Sequence, residues 1–220
     1  MRNIVITGAN RGIGLEYCKQ FKQKGDHVIA LCRQSSPELR SLSVEVIENV
    51  NVAEDGSMNH LKKEIKDKNI DVLINNAGIL RKEEFGKLNF ETIKKQFDVN
   101  TLGPLKITQA LLPNLKNNSK VVMMTSRMGS ITDNTSGGYY GYRMSKAALN
   151  IASVCLSHEL KEKEISLIIL HPGFVKTEMT NHQGNLSTSE SVEGLIKRIE
   201  ESSLQNTGHF LHTNGEELSW

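Results

Sequence analysis

The 220-residue sequence lacks a strong charge imbalance. Twenty-seven basic residues against 25 acidic ones leave a formal net charge of +2. That is too small for a nucleic-acid footprint, and no run of Lys and Arg is interleaved with aromatics. The pairs Lys62-Lys63 and Lys94-Lys95 read as solvated helix faces. Cysteine is scarce: Cys18, Cys32 and Cys155 are odd in number, far apart and without C-x-x-C spacing, so a reducing compartment is expected. No apolar stretch approaches the roughly 18 to 20 residues of a spanning helix. Met1 to Ile6 run straight into a strand-like stretch with no room for a leader. The expected location is therefore cytoplasmic, with neither membrane nor nucleic acid as partner. No metal-ligand spacing occurs, so no metal is expected. Internal repeats, low-complexity tracts and linkers are also missing, which predicts a single domain over residues 1–220.

What is present is an alternation. Short β-branched runs lie at Ile4–Ile6, His27–Leu31, Val44–Val52, Asp71–Ile74, Lys120–Met124, Ile165–Leu170 and, more weakly, His209–Leu211, with amphipathic stretches between them. Runs as uniformly apolar as Val-Val-Met-Met and Leu-Ile-Ile-Leu suit parallel strands covered on both faces. The expected fold is α/β: a Rossmann-type, doubly wound parallel sheet of about seven strands with helices on both faces. Among the helices, Gly25 closes the first, and Ser57 with Met58, Leu61 and Ile65 gives a start residue and an apolar stripe. One long helix is predicted from about Asn89 to Leu115, with Phe90, Ile93, Phe97, Leu102 and Leu105 inward and a bend at Gly103-Pro104. Another is predicted from about Tyr142 to Lys161.

Thr7-Gly8-Ala9-Asn10-Arg11-Gly12-Ile13-Gly14 follows the first strand and opens the first helix, as a dinucleotide-binding loop requires. Glycines permit the tight turn and the close approach of a pyrophosphate, and the helix N-terminus offers free N–H groups. Further along come Asn75-Asn76-Ala77-Gly78, Asn100, Ser126, Tyr142-Arg143-Met144-Ser145-Lys146, and Pro172-Gly173 with Thr177. This ordered set resembles the short-chain dehydrogenase/reductase family. The closing Gly215-Glu216-Glu217-Leu218-Ser219-Trp220 resembles the tail of a branch that includes sniffer-type carbonyl reductases and C-factor-like proteins.

Tyr142 and Lys146 stand one helical turn apart on one face. A phenol with an ordinary pKa of ~10 is a poor acid near neutrality, and an ammonium ~4 Å away, at an effective dielectric of ~20, lowers that value by roughly three units before desolvation opposes it. The resemblance implies that Tyr142 protonates the carbonyl oxygen during hydride transfer and that Ser126 hydrogen-bonds the same oxygen. It further implies that Lys146 holds the nicotinamide ribose and that Asn100 supports a water returning protons to the lysine. Tyr139 and Tyr140 lack a lysine four residues on and are read as pocket wall. Ser126, with Gly129 completing S-x-x-G, is preferred over Thr125 and Ser130. The interval from Ser126 to Tyr142 is longer than usual in the family, which points to a small insertion around Gly137-Gly138.

An acid about 20 residues beyond the glycine loop marks NAD-specific sites. Here the stretch is Leu31-Cys32-Arg33-Gln34, and Arg11 lies inside the loop, so two guanidiniums are available for a 2′-phosphate. The expected cofactor is NADP(H). By the same resemblance, Asn51 and Val52 stand where many relatives have Asp-Val at the adenine, and Asn76, Ala77 and Gly78 are expected to line the adenosine side. Pro172, Gly173, Val175 and Thr177 are expected, on that resemblance, to approach the carboxamide. The substrate site is expected in the C-terminal loops of the same domain, where the polar segment from Glu178 to Glu190 is either a lid or a passive loop. His171 and His182 are not needed as acids. The implied activity is NADPH-dependent reduction of a small ketone or aldehyde, or the reverse alcohol oxidation, by a homo-dimer or homo-tetramer. A non-catalytic NADP(H)-binding sensor is the alternative.

Overall fold

A computed structural model describes all residues, 1–220. Seven strands form one parallel sheet: β1 (Asn3–Thr7), β2 (His27–Leu31), β3 (Glu45–Ile47), β4 (Ile70–Asn75), β5 (Leu115–Met124), β6 (Ser166–His171) and β7 (Phe210–His212). Their order is β3-β2-β1-β4-β5-β6-β7. The chain thus winds outward from β1 in one direction and then returns to β1's other side with β4. The carboxyl ends of β1 and β4 flank the point where the order reverses, which is where open α/β sheets form their ligand crevice.

Alternation along each strand sorts side chains into two cores. Val5, Leu73, Val121, Met123, Leu167 and Ile169 face one cluster, shared with α3 (Asp55–Ile65), α5 (Gly103–Leu111) and α6 (Tyr140–Lys161). Ile4, Ile6, Val72, Ile74, Val122 and Ile168 face the other, shared with α1 (Gly12–Gln23) and α7 (Thr188–Glu201). Because both faces are covered, the inner stretches Val72–Ile74 of β4, Val121–Met124 of β5 and Leu167–Leu170 of β6 are buried without interruption, and exposed residues such as Asp71 and Lys116 are confined to the strand beginnings. A short α2 (Pro37–Ser41) is N-capped by the Ser36 hydroxyl, which accepts from Leu39 N at 3.1 Å.

Several boundaries differ from the sequence reading. β3 is cut to three residues because Asn49 turns the chain at φ 60°, and the chain from Asn49 to Val52 leaves the sheet. β5 begins earlier than predicted, at Leu115. Ser57 is not a start residue: Glu54 occupies the N-cap of α3, and the buried Ser57 hydroxyl accepts from Asn51 N at 3.1 Å. Gly25 does follow the end of α1, at φ 82°.

The predicted long helix is a chain of three pieces: α4 (Phe90–Phe97), a π-helical turn (Asp98–Leu102) and α5. Pro104 has no N–H to offer the carbonyl of Asn100, four residues earlier, so the widened turn takes the place of the expected bend. The buried stripe is also different. Phe90 and Leu102 are exposed, and the inward positions belong to Ile93, Gln96, Asn100, Gly103 and Ile107. Their spacings of three and four make a regular helical stripe, but two of its members are polar. No helix is long and apolar enough to cross a membrane.

Candidate active site

The crevice is first a matter of backbone. Thr7, the last residue of β1, accepts at its hydroxyl from Asn76 N (2.9 Å) and Ala77 N (3.0 Å). The Asn76 side-chain amide returns donors to the carbonyls of Thr7 (3.0 Å) and Gly8 (3.3 Å). The ends of β1 and β4 are thereby stapled together. Gly8 sits at φ 65°, where a Cβ would lie 2.9 Å from Ala77 Cα. A Cβ on Gly14 would overlap the Gly8 carbonyl and lie 2.6 Å from Asn76 Nδ2. The start of α1 has neither a side-chain cap nor an acid in its first turn. Its N–H groups and partial positive charge are what an anion such as a pyrophosphate uses. Asn10 and Gly12 are half-buried in this loop, and Ile13 packs against the core below it.

Around this loop the other nucleotide-site candidates are placed unequally. Arg33 is exposed just beyond β2. Arg11 is also exposed, but its guanidinium is paired with Glu178 from the loop after β6. The Asn51 side chain is engaged locally, accepting from Ala53 N (3.3 Å) and donating to Glu54 (2.6 Å), which occupies the carbonyl expected at the adenine. Val52 is buried against Gly103. Beyond β6, Pro172 accepts at its carbonyl from the Ser191 hydroxyl (2.7 Å), and Val175 is buried and bridges to Leu186. Thr177 opens a short 3-10 turn, Glu178–Thr180, capped by Thr180. The 178–190 segment is tied back by Lys176 N to Leu186 O (2.9 Å) and His182 N to Thr177 O (2.7 Å).

The second half of the site is built from buried side chains. Tyr142 and Lys146 lie in the first two turns of α6, at 8% and 5% exposure. Ser126, also buried, follows β5 and caps a 3-10 turn through Met128 N at 3.1 Å. Its rivals are committed elsewhere: the Thr125 hydroxyl donates to Asn150 Oδ1 (2.7 Å), and Ser130 accepts from Asp133 N (3.1 Å). Lys146 Nζ donates to the Met124 carbonyl (2.8 Å) and lies 5.8 Å from the centre of the Tyr142 ring. A Cβ on Gly78 would lie 3.4 Å from Asn100 Oδ1 and 3.9 Å from Lys146 Nζ, so the loop after β4 passes close to both groups. Asn100 is fully buried; it donates to Ile79 O (2.9 Å) and Ser145 Oγ (3.0 Å) and accepts from Ile79 N (2.8 Å). Its side chain therefore joins the β4 loop to α6.

Burial reverses the electrostatics expected of the Tyr–Lys pair. Desolvation pushes the Tyr142 phenol up to about 12, partly opposed by its hydrogen bond with Ser126. Desolvation brings the Lys146 ammonium down to about 8. The tyrosine is raised rather than lowered, because both groups have lost their water. His171 is likewise brought down to about 3, by burial and then by His212, Arg127 and Lys146, so it is neutral at physiological pH. His182 is exposed.

Residues that the sequence reading did not single out complete the neighbourhood. Ser145 accepts from Asn100 and donates to the Tyr142 carbonyl (2.8 Å), and Asn150 anchors the Ser126 loop through Thr125. Glu83 is a buried carboxylate at the start of α6. Polar residues on an otherwise apolar helix face are the one signal that could have marked Asn150 and Gln96.

Residues 2–187 match the model of the short chain dehydrogenase family, and the chain belongs to that family as an oxidoreductase. Over 226 residues, and the full length of both chains, it is 34% identical to the 1-hydroxy-2-glutathionyl-2-methyl-3-butene dehydrogenase of Rhodococcus sp. strain AD45. It is 40% identical to the C-signal protein of Myxococcus xanthus over 154 residues, 69% of this chain and 93% of that one. The NADPH-bound carbonyl reductase from chicken fatty liver superposes with a TM-score of 0.90 at 29% identity, covering 100% of this chain and 99% of the other. These likenesses bear out the branch resemblance drawn from the closing residues.

Proposed function

We propose that the protein is an NADP(H)-dependent reductase of small ketones or aldehydes, working on a single nucleotide-binding domain whose C-terminal loops form the substrate site. The observation that carries this reading is the convergence of Tyr142, Ser126 and Lys146, all buried, beside the stapled ends of β1 and β4. Likeness to a carbonyl reductase holding NADPH supports the cofactor and the reaction class. When bound, NADPH supplies the hydride. It fits here because the α1 N-terminus is uncapped and its glycines leave space for a phosphate, while Arg33 and, once released from Glu178, Arg11 suit a 2′-phosphate.

In this reading the residues divide the work. With its pKa at about 12, Tyr142 is protonated throughout the physiological range and holds the proton that the carbonyl oxygen takes up as negative charge develops on it. Ser126 donates a second hydrogen bond to that oxygen. Lys146, about 8, is mostly charged at neutral pH; it lies 5.8 Å from the centre of the Tyr142 ring and would hold the ribose of the bound nucleotide. Asn100 sets the position of α6 relative to the β4 loop rather than touching the substrate. Exposed Phe85, Ile131, Phe174 and Met179 on the loops beyond β4, β5 and β6 suit an apolar substituent on the carbonyl.

The test is NADPH oxidation followed by absorbance with a panel of ketones and aldehydes. Turnover that depends on Tyr142 supports the reading, and no turnover with any carbonyl overturns it. Likeness to C-signal favours a second reading, a nucleotide-occupied signalling protein, in which Tyr142→Phe leaves the output unchanged. Assembly as at least a dimer, through the outward faces of α5 and α6 where Ile151 is exposed, and a cytoplasmic location with three free cysteines belong to the same proposal. A species of only 24.5 kDa in light scattering would refute the dimer.

A further inference from the structure

The start of α6 has no cap of its own. Its N-cap residue, Tyr139, sits in the left-handed region at φ 51° and makes no side-chain cap. Yet Tyr142 stands in this first turn, where free N–H groups would let the helix end fray. Glu83, 58 residues away in sequence from Gly141, supplies what is missing. Its backbone carbonyl accepts from Tyr139 N (3.1 Å), and its Oε2 accepts from Gly141 N (3.2 Å). Its Oε1 accepts from Gln96 Nε2 (2.5 Å) and from the Thr92 hydroxyl (3.3 Å). Glu83 is 4% exposed and Gln96 fully buried.

All of these partners are uncharged donors, and none is a lysine or arginine. A carboxylate answers donors with both oxygens, whereas an amide would have to turn its NH2 toward one of them. A negative charge at a helix N-terminus is also favourable. Gln96 is held in turn: its Oε1 accepts from Arg81 N (2.9 Å), which fixes the side-chain amide with Nε2 toward Glu83. Gly141 has no room for a side chain, since a Cβ would overlap the Gln96 amide and lie 3.0 Å from Ile93 Cα. The first turn of α6 is therefore clamped against α4 by one buried carboxylate.

We propose that Glu83, acting with Gln96, is a positioning residue for Tyr142: it caps α6 from a distant loop and so sets where the phenol meets the carbonyl oxygen. The proposal rests on the reductase reading above. Its reach is specific, because the glycine loop that would hold the nucleotide lies on β1 and α1, outside this clamp.

The experiment measures kcat and KM for an accepted carbonyl, together with NADPH affinity, in the full-length wild type, Tyr142→Phe, Glu83→Gln, Gln96→Glu and the double variant Glu83→Gln/Gln96→Glu. In the double variant the acceptor and donor exchange places: Glu at 96 accepts from Arg81 N and from the amide at 83, whose carbonyl accepts from Gly141 N. Glu83→Gln should lower kcat by about thirtyfold with NADPH affinity within about twofold of wild type, as misplacement of a reacting group predicts. The exchanged pair should recover most of that loss. Wild-type kcat in Glu83→Gln would overturn the proposal, as would equal losses of kcat and NADPH affinity, the mark of general unfolding. If Glu83→Gln does not fold, the exchanged pair decides: a folded double variant that binds NADPH but turns over no faster than Tyr142→Phe overturns it. Tyr142→Phe separates the two levels, because full turnover in that variant sinks the reductase reading itself, while loss there with no effect at Glu83 sinks only the clamp.

Discussion

The two ends of the crevice are made of different materials. At the β1–β4 end the working surface is backbone: glycines at close approaches, an uncapped helix start, and a threonine hydroxyl and asparagine amide that staple two strand ends. At the β5–α6 end it is side chains taken out of water, with Tyr142 raised, Lys146 and His171 lowered, and Ser126, Asn100 and Ser145 committed to specific hydrogen bonds. A backbone site tolerates exposure, since its polar groups are held by the fold and can face water or ligand alike. A side-chain site of this kind depends on burial, because desolvation is the largest cause of the shifts at Tyr142, Lys146 and His171. The first should break through sterics and the second through chemistry.

The largest expected effect tests the chemical end. Tyr142→Phe should leave NADPH affinity nearly unchanged and lower carbonyl reduction by at least about a hundredfold, the range of general acid catalysis. Nucleotide affinity and turnover are measured separately, and wild-type turnover would show that this tyrosine is not the acid. At the backbone end, Gly14→Ala places a methyl group against the Gly8 carbonyl and the Asn76 amide. NADPH affinity should fall by about thirtyfold or more, with a lower Tm, since the clash costs on the order of 2 kcal/mol. An alanine variant with unchanged affinity and Tm would mean that the loop yields and the backbone argument fails.

Smaller effects sharpen the contrast. NADPH should bind at least about tenfold tighter than NADH, and Arg33→Asp should move the preference toward NADH by about the same factor, by repelling a 2′-phosphate. Equal dissociation constants in the wild type would remove the argument from Arg33. Lys146→Met should stabilise the nucleotide-free protein at pH 7 by about 3 kcal/mol, because the folded state, with its lysine at about 8 instead of 10.5, must charge a buried amine there. Between pH 8 and 10.5 the unfolded wild type binds more protons than the folded one, so wild-type stability rises across that window and the variant's advantage disappears. Denaturant titrations at pH 7 and pH 10 measure both, and an advantage that stays constant with pH would contradict the assigned cause.

The strands were legible because their signal is local. An apolar run such as Leu167–Leu170 is buried on both sides, and each of the seven predicted runs overlaps a strand. The glycine loop was legible for the same reason, as its spacing and its place between strand and helix lie within eight residues. The helix before Pro104 was misread because apolar periodicity selects Phe90 and Leu102. The face that is actually buried passes Gln96 and Asn100, whose polar groups find partners on Glu83, Arg81, Ile79 and Ser145. Nothing within the helix reveals those partners, since they come from another loop and from α6.

By itself, the sequence determined the order of the elements, the parallel sheet, the nucleotide-type loop and the spacing of Tyr142 and Lys146 on one helical face. These depend on residues near one another in the chain and on backbone periodicity. Only the tertiary structure decided the direction of the pKa shifts at Tyr142 and Lys146, the pairing of Arg11 with Glu178, and the capping of α6 by Glu83. Spacing in sequence places two groups on the same side of a helix. It does not say how much water surrounds them or which distant carbonyl or carboxylate meets them, and in this crevice the loss of that water outweighs the attraction expected between tyrosine and lysine.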